Sequence, residues 1–226
     1  MNHGKNNSDK KKWKVRDVFF AIVIWTVIAV LGPEILKILS FIHIYFIDHT
    51  ADLIGTLVAV YLLNQKYPLQ LSLKLNLKHI LQYVLPAILL YFFILFAGFP
   101  YFIHFGHLEN LPKEYNLFIE LNLIEKFFFC FFLFLLGPII EEIFFRGFIY
   151  RIIRNRYNIL CGTVISTGIF YASHGPTYFH IIIISLIFTY VYQKTGNIWN
   201  SIIVHSLNNT LWFIFVYWGV KLKTGN

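Results

Sequence analysis

Charged residues are scarce in this 226-residue chain. Asp, Glu, Lys and Arg make up 13% of it, whereas hydrophobic residues make up 58% and the mean hydropathy is +0.63. Soluble domains carry about 25% charged residues. The composition therefore excludes a soluble globular domain and predicts an all-α, polytopic transmembrane helix bundle.

Cysteine is rarer still, with only Cys130 and Cys161 in the whole sequence. Both lie in apolar runs, and their spacing fits neither a disulfide framework nor a zinc knuckle. A cleavage pattern of small residues is also missing after the first apolar run. We therefore expect that run to remain as a membrane anchor rather than to act as a cleavable signal peptide.

The formal net charge of +8 does not predict a nucleic-acid partner. The basic residues cluster at the ends of apolar runs, whereas binding to nucleic acid would favour a basic stripe interleaved with aromatics. Residues 1–17 are polar and basic, and the positive-inside rule places them in the cytoplasm. The basic residues thus indicate topology, and the expected surroundings are the lipid bilayer of the cell membrane.

The apolar runs predict one membrane domain over residues 18–220, with about seven spans. The predicted spans cover residues 18–39, 45–64, 80–97, 123–154, 159–172, 179–192 and 198–220, given to within a few positions. Seven spans would leave the C-terminus outside the cell. Lys221 and Lys223 argue against this placement, because basic residues favour the cytoplasmic side, so six or eight spans remain alternatives.

Three charges interrupt the apolar run at residues 131–147. Glu141, Glu142 and Arg146 each cost about 2.5 to 3.5 kcal/mol at membrane depth, so such residues indicate function. On a helix Glu142 and Arg146 are four apart and can neutralise each other, whereas Glu141 is turned about 100° away and is left for chemistry. The alternative is a buried ion-pair network that only fixes helix packing.

Further polar positions are predicted at comparable depth. Glu141 lies 15 residues before position 156 and His174 lies 18 residues after it, which places them about 22 and 27 Å from that turn. His205 and Asn209 are four apart on one face of the last span. Each alone could be a packing residue, but together they predict a convergent polar pocket in an apolar surround.

These residues resemble the motif blocks of the CPBP (Abi) family of intramembrane proteases. The blocks are Glu141-Glu142-x-x-x-Arg146-Gly147, Phe170-x-x-x-His174 and His205-x-x-x-Asn209. The resemblance covers a core of about residues 120–215. The family includes type II CAAX prenyl endopeptidases and bacterial bacteriocin-processing and immunity proteins, so the resemblance implies an intramembrane endopeptidase.

Peptide hydrolysis needs an activated water, a stabilised oxyanion and a proton for the leaving amine. A carboxylate and an imidazole suit the first task, so we assign Glu141 as general base and His174 to water activation. His205 and Asn209 are assigned to oxyanion stabilisation. The supporting residues are expected to be Glu142, Arg146 and Phe170.

Zinc is an alternative way to activate the water. His174, His205 and Glu141 would supply three protein ligands and leave a position for water, as in catalytic zinc sites. The H-E-x-x-H spacing of common zinc proteases is absent. No cofactor follows from the sequence, and zinc stays open.

Two function classes remain from the sequence. The first is an endopeptidase acting on a membrane peptide, a lipidated CAAX-like protein or a bacteriocin-type substrate. The second is a non-catalytic membrane protein that binds a partner or confers bacteriocin immunity while keeping the same pocket. The full set of polar residues favours catalysis, because a binding scaffold has little reason to keep several costly groups in the membrane.

The predicted topology can be tested by labelling single cysteines from each side of the membrane. Cysteines placed at Lys11, Lys66, Arg154 and Lys194 should all react from the cytoplasmic side, because each position follows an even number of spans or precedes the first. Reaction of positions 66 and 154 from opposite sides would contradict the seven-span topology.

Overall fold

The computed structural model describes residues 14–36, 44–66, 76–105, 118–174 and 180–224. Within these ranges the regular structure is helical and no strand occurs, which confirms the predicted all-α class. Most of the predicted cytoplasmic segment, residues 1–13, lies outside the described residues.

The helices agree with the predicted spans to within a few residues at most ends. They are α1 (Val15–Leu36), α2 (Ile44–Lys66), α3 (77–105), α4 (Leu123–Arg156), α5 (Ile159–Ser173), α6 (His180–Thr195) and α7 (Ile198–Thr224). Three helices within the described ranges are long and apolar enough to cross a membrane, over Val15–Gly32, Leu77–Phe96 and Leu123–Arg156. The chain is therefore of the membrane type, and the number of spans stays a prediction.

The long helix α4 is not uniform along its length. It begins with a capping box, in which the Asn122 side chain accepts from the backbone of Ile124 and Glu125 and the Glu125 side chain accepts from the backbone N–H of Asn122. Farther on, the wider π-helical geometry replaces the α-helix at Phe132–Leu136 and at Ile143–Tyr150. Such π-helical turns frequently occur at functional sites. The two glutamates lie on the short α-helical segment between them, Gly137–Glu142.

The chain divides into two compact units. The sequence predicts a single membrane domain over residues 18–220, and that prediction is not tested by this division. The first unit contains α1, α2 and residues 143–169. Its α1 packs along α2, where Gly55 permits a close approach: a Cβ there would lie 3.2 Å from the Trp25 carbonyl oxygen. The Trp25 ring contacts Phe144 and Phe145. Arg146 is fully buried in this unit.

The second unit contains α3, the beginning of α4 through Glu142, the end of α5 from Phe170, and all of α6 and α7. Within it α7 packs against α3, α6 and the beginning of α4. The ring of Phe213 on α7 contacts Phe129 and Phe134 on α4. These contacts hold α7 beside the segment that carries the two glutamates.

The α4–α5 contact within the first unit depends on a small residue. A Cβ at Gly162 would lie 3.0 Å from the Cβ of Arg154 and 3.1 Å from the Tyr150 carbonyl oxygen, whereas a Cβ at Gly168 on the same helix would meet nothing within 4 Å. Two of the three atoms nearest Gly162 belong to the backbone, which cannot move aside as a flexible side chain can.

Gly162→Ala should therefore destabilise the protein by about 1 to 3 kcal/mol, because it overpacks the contact. Gly168→Ala is the matched control and should stabilise by up to about 1 kcal/mol, because alanine favours the helix. Thermal unfolding in detergent measures both variants. Equal midpoints for the two would contradict the close contact at Gly162.

Candidate active site

Glu142 is a carboxylate buried completely inside the second unit. Its Oε2 accepts a hydrogen bond from Ser201 Oγ at 2.5 Å, and its Oε1 lies 3.0 Å from Nδ1 of His205. Both partners belong to α7 and lie one helical turn apart. A buried carboxylate is costly unless donors are supplied to it, and α7 supplies one to each oxygen.

His205 is oriented by this contact. Because an ionised carboxylate can only accept, Nδ1 carries the proton and Nε2 points the other way. That Nε2 lies 3.9 Å from Oε2 of Glu141. The ring stacks on Phe188, with centroids 4.4 Å apart, which fixes the plane of the buried imidazole.

His174 is oriented in the same way from α5. Its Nδ1 lies 2.8 Å from the carbonyl oxygen of Phe170, an acceptor, so Nδ1 again carries the proton. The ring stacks on the Phe170 ring, with centroids 4.2 Å apart. Its Nε2 is thereby directed at Glu141, 3.5 Å from Oε2. Phe170 also contacts the ring of His205, edge to face at 6.0 Å.

One oxygen of Glu141 thus faces the Nε2 atoms of two histidines from different helices. These three residues were predicted at comparable depth, and the structure brings them together in the second unit. The side chains of Glu141 and His174 are 26% and 31% exposed, whereas that of His205 is 4% exposed. The site therefore has an accessible side, at Glu141 and His174, and a buried side, at His205 and Glu142.

This arrangement concentrates hydrogen-bond acceptors. With Nδ1 protonated, each neutral imidazole presents a lone pair at Nε2. The Glu141 oxygen that the two rings face also presents lone pairs. Acceptors repel one another unless a proton or a donor lies between them. Such a group can hold and polarise a molecule with two O–H donors, which is the requirement for activating water.

Asn209 lies one turn beyond His205 on α7, as predicted. Its Nδ2 donates to the carbonyl oxygen of Leu133 at 3.0 Å, and its Oδ1 accepts from Asn208 Nδ2 at 3.2 Å. An amide has two N–H groups, so at most one of them is left for another acceptor. The predicted pairing of Glu142 with Arg146 joins residues of different units and stays a prediction.

The fit of the site to zinc is incomplete. Two imidazoles and one carboxylate have the composition of a catalytic zinc site. Among the described residues, however, no group of three or more His, Cys, Asp or Glu side chains is arranged to hold a metal ion.

Sequence reasoning missed two members of the site. Ser201 donates to Glu142, and Phe188 supports the ring of His205. A signal for Ser201 was present, because it lies four residues before His205 and eight before Asn209, on the same helical face. No pattern marks Phe188 among the many aromatic residues of the chain.

The segment that carries this site is similar to a known protein family. Residues 123–211 match the model of a protein family named Rce1-like. The family is described as type II CAAX prenyl endopeptidase Rce1-like. The match confirms the resemblance inferred from the three motif blocks. The chain matches no curated protein and no solved structure.

The matched segment includes all of α4 and extends into α7, so it contains Glu141, His174 and His205. The Rce1-like family is a protease family. Together with the apolar helices, the match indicates a membrane protein that acts in the bilayer.

The hydrogen bond from Ser201 to Glu142 predicts a matched pair of serine variants. Ser201→Ala should destabilise by about 1.5 to 3 kcal/mol, because it removes a donor from a buried carboxylate. Ser206→Ala on the same helix should change stability by less than about 0.5 kcal/mol, because Ser206 Oγ has no hydrogen-bond partner among the described residues. Unfolding midpoints in detergent compare them, and an equal loss in both variants would contradict the Ser201 contact.

Proposed function

We propose that the protein is an intramembrane endopeptidase that hydrolyses a peptide bond near the C-terminus of a lipidated, CAAX-like protein. The observation that carries the proposal is the approach of Glu141 Oε2 to the Nε2 atoms of His174 and His205, at 3.5 and 3.9 Å. The match of this segment to a protease family supports it. The proposed N-terminus is cytoplasmic, from the basic residues that precede α1.

In the proposed mechanism Glu141 and His174 activate the water. The water donates one hydrogen to the carboxylate and the other to Nε2 of His174, and its lone pair faces the substrate carbonyl. When its oxygen bonds to the carbonyl carbon, Glu141 takes the proton. The C–N bond then breaks, and the proton passes to the leaving amine.

His205 is proposed to stabilise the oxyanion. For this role the neutral His205 first takes up a proton from the solvent at Nε2; the imidazolium then keeps Nδ1–H on Glu142 and presents Nε2–H to the developing negative charge. The buried Glu142 supports this role because it stabilises the imidazolium at 3.0 Å. For Asn209 the proposed contribution is limited to the one N–H that is not bonded to Leu133.

The proposed base is tested with purified protein in liposomes and a prenylated peptide that ends in a CAAX sequence. Glu141→Gln should lower kcat at least about 100-fold, because it keeps the shape of the side chain and removes the base. The protein should still accumulate in the membrane. Glu120→Gln is the matched control, at an exposed position outside the motifs, and should cleave at the wild-type rate within about twofold.

Cleavage by Glu141→Gln at the wild-type rate would contradict the assignment of the base. A wild-type protein that binds the peptide or a bacteriocin without cleaving either would support the non-catalytic alternative. A bacteriocin-type precursor is the second substrate to assay, since the CPBP resemblance includes proteins that process bacteriocins.

Metal removal separates the proposed mechanism from the zinc alternative. Protein treated with a chelator and confirmed metal-free by elemental analysis should retain full activity, because Glu141 and His174 activate the water themselves. Loss of activity that zinc restores would overturn this mechanism and make Glu141, His174 and His205 ligands.

A further inference from the structure

A proline interrupts the helix just before the two glutamates. In α4, the N–H of Gly137 donates to the carbonyl of Phe132, five residues back, which is the π-helical register. The next donor in that register would be residue 138, and its acceptor would be the carbonyl of Leu133. Residue 138 is a proline and has no N–H. The proline thus leaves the Leu133 carbonyl without that helical donor.

A carbonyl freed in this way is costly at membrane depth. No water is present in the hydrocarbon region, so a neighbouring helix must supply the donor. The structure contains that donor: Asn209 Nδ2 on α7 donates to the Leu133 carbonyl at 3.0 Å. The amide oxygen of the same side chain, Asn209 Oδ1, accepts a hydrogen bond from Asn208.

The turn itself is closely packed around Gly137. A Cβ at this position would lie 3.0 Å from the Phe132 carbonyl oxygen and 3.9 Å from Oε1 of Glu141. The carboxylate of Glu141 therefore lies directly over the turn whose geometry Pro138 and Gly137 determine. A shift of this turn would move Glu141 relative to His174 and His205, which are held by other helices.

We propose that Asn209 is a positioning residue: it replaces the backbone donor that Pro138 removes and so fixes the turn beneath Glu141. It does this with one N–H, at the Leu133 carbonyl, and its other N–H is left for the proposed oxyanion contact. As far as catalysis is concerned, the inference rests on the proposed endopeptidase function. The hydrogen-bond replacement itself does not, and it can be measured without substrate.

A double-mutant cycle at positions 138 and 209 tests this role. Pro138→Ala restores a backbone N–H, so Leu133 gains a helical donor whether the turn keeps the π register or relaxes to the α register. Asn209→Ala alone should lower kcat about tenfold or more relative to the wild type, with KM changed less than about twofold. In the Pro138→Ala background the same change should lower kcat less than about threefold.

The thermal unfolding midpoint gives a readout that is independent of activity. Asn209→Ala should lower it by about 4 °C or more in the wild-type background and by less than about 1 °C in the Pro138→Ala background. Thr210→Ala is the matched control on α7, since its hydroxyl bonds only within the helix, to the Ser206 carbonyl. It should show the same small effect in both backgrounds.

The cycle separates the two proposals. If the wild type cleaves no probe peptide but the midpoints are coupled as expected, the endopeptidase proposal fails and the replacement of the donor stands. An equal cost of Asn209→Ala in both backgrounds, in kcat and in midpoint, would overturn the positioning role. Loss of kcat that Pro138→Ala does not rescue, with coupled midpoints, would assign the whole catalytic effect of Asn209 to its other N–H at the oxyanion and would overturn the positioning role.

Discussion

A carboxylate inside a membrane protein must receive its hydrogen bonds from the protein, and the site is built around this constraint at Glu142. Its two oxygens are served by Ser201 and His205, both from α7. Because His205 must use Nδ1 for this bond, its Nε2 is turned toward Glu141. The burial of one glutamate thus determines how a histidine is presented to the other.

The same principle explains the opposite side of the site. His174 uses Nδ1 on the Phe170 carbonyl, so its Nε2 also faces Glu141. The two histidines come from different helices, yet each is oriented by a local acceptor and a stacked phenylalanine. In the proposed mechanism, acceptors held in place in this way would need little rearrangement when a substrate binds.

Much of the fold and part of the site could be predicted from the sequence. The limits of α4 and α5 follow from apolar runs and from the basic residues near position 156, and the structure begins both helices at the predicted residues. Glu141, His174 and His205 could be found because ionisable residues at membrane depth are rare and therefore conspicuous. The meeting of Glu141 with His174 required only a count of helical rise.

The rest depended on contacts between distant positions. Local spacing pairs Glu142 with Arg146, but it cannot show that Glu142 bonds to Ser201 and His205, which lie 59 and 63 residues away. The hydrogen bond from Asn209 to Leu133 could not be predicted either, because the two residues lie 76 positions apart. A glycine-proline pair indicates a disturbed helix, but only the folded chain reveals which carbonyl loses its donor and which side chain replaces it.

The dependence of cleavage on pH tests the central claim most directly, because the mechanism needs Glu141 ionised and a histidine in a defined protonation state at the same time. Initial rates of purified protein in liposomes, with a prenylated CAAX peptide, should give a bell-shaped profile of kcat/KM. Its two limbs belong to the coupled pair of Glu141 and His174 rather than to single residues. A profile with no acidic limb, or a rate that does not change with pH, would contradict the account.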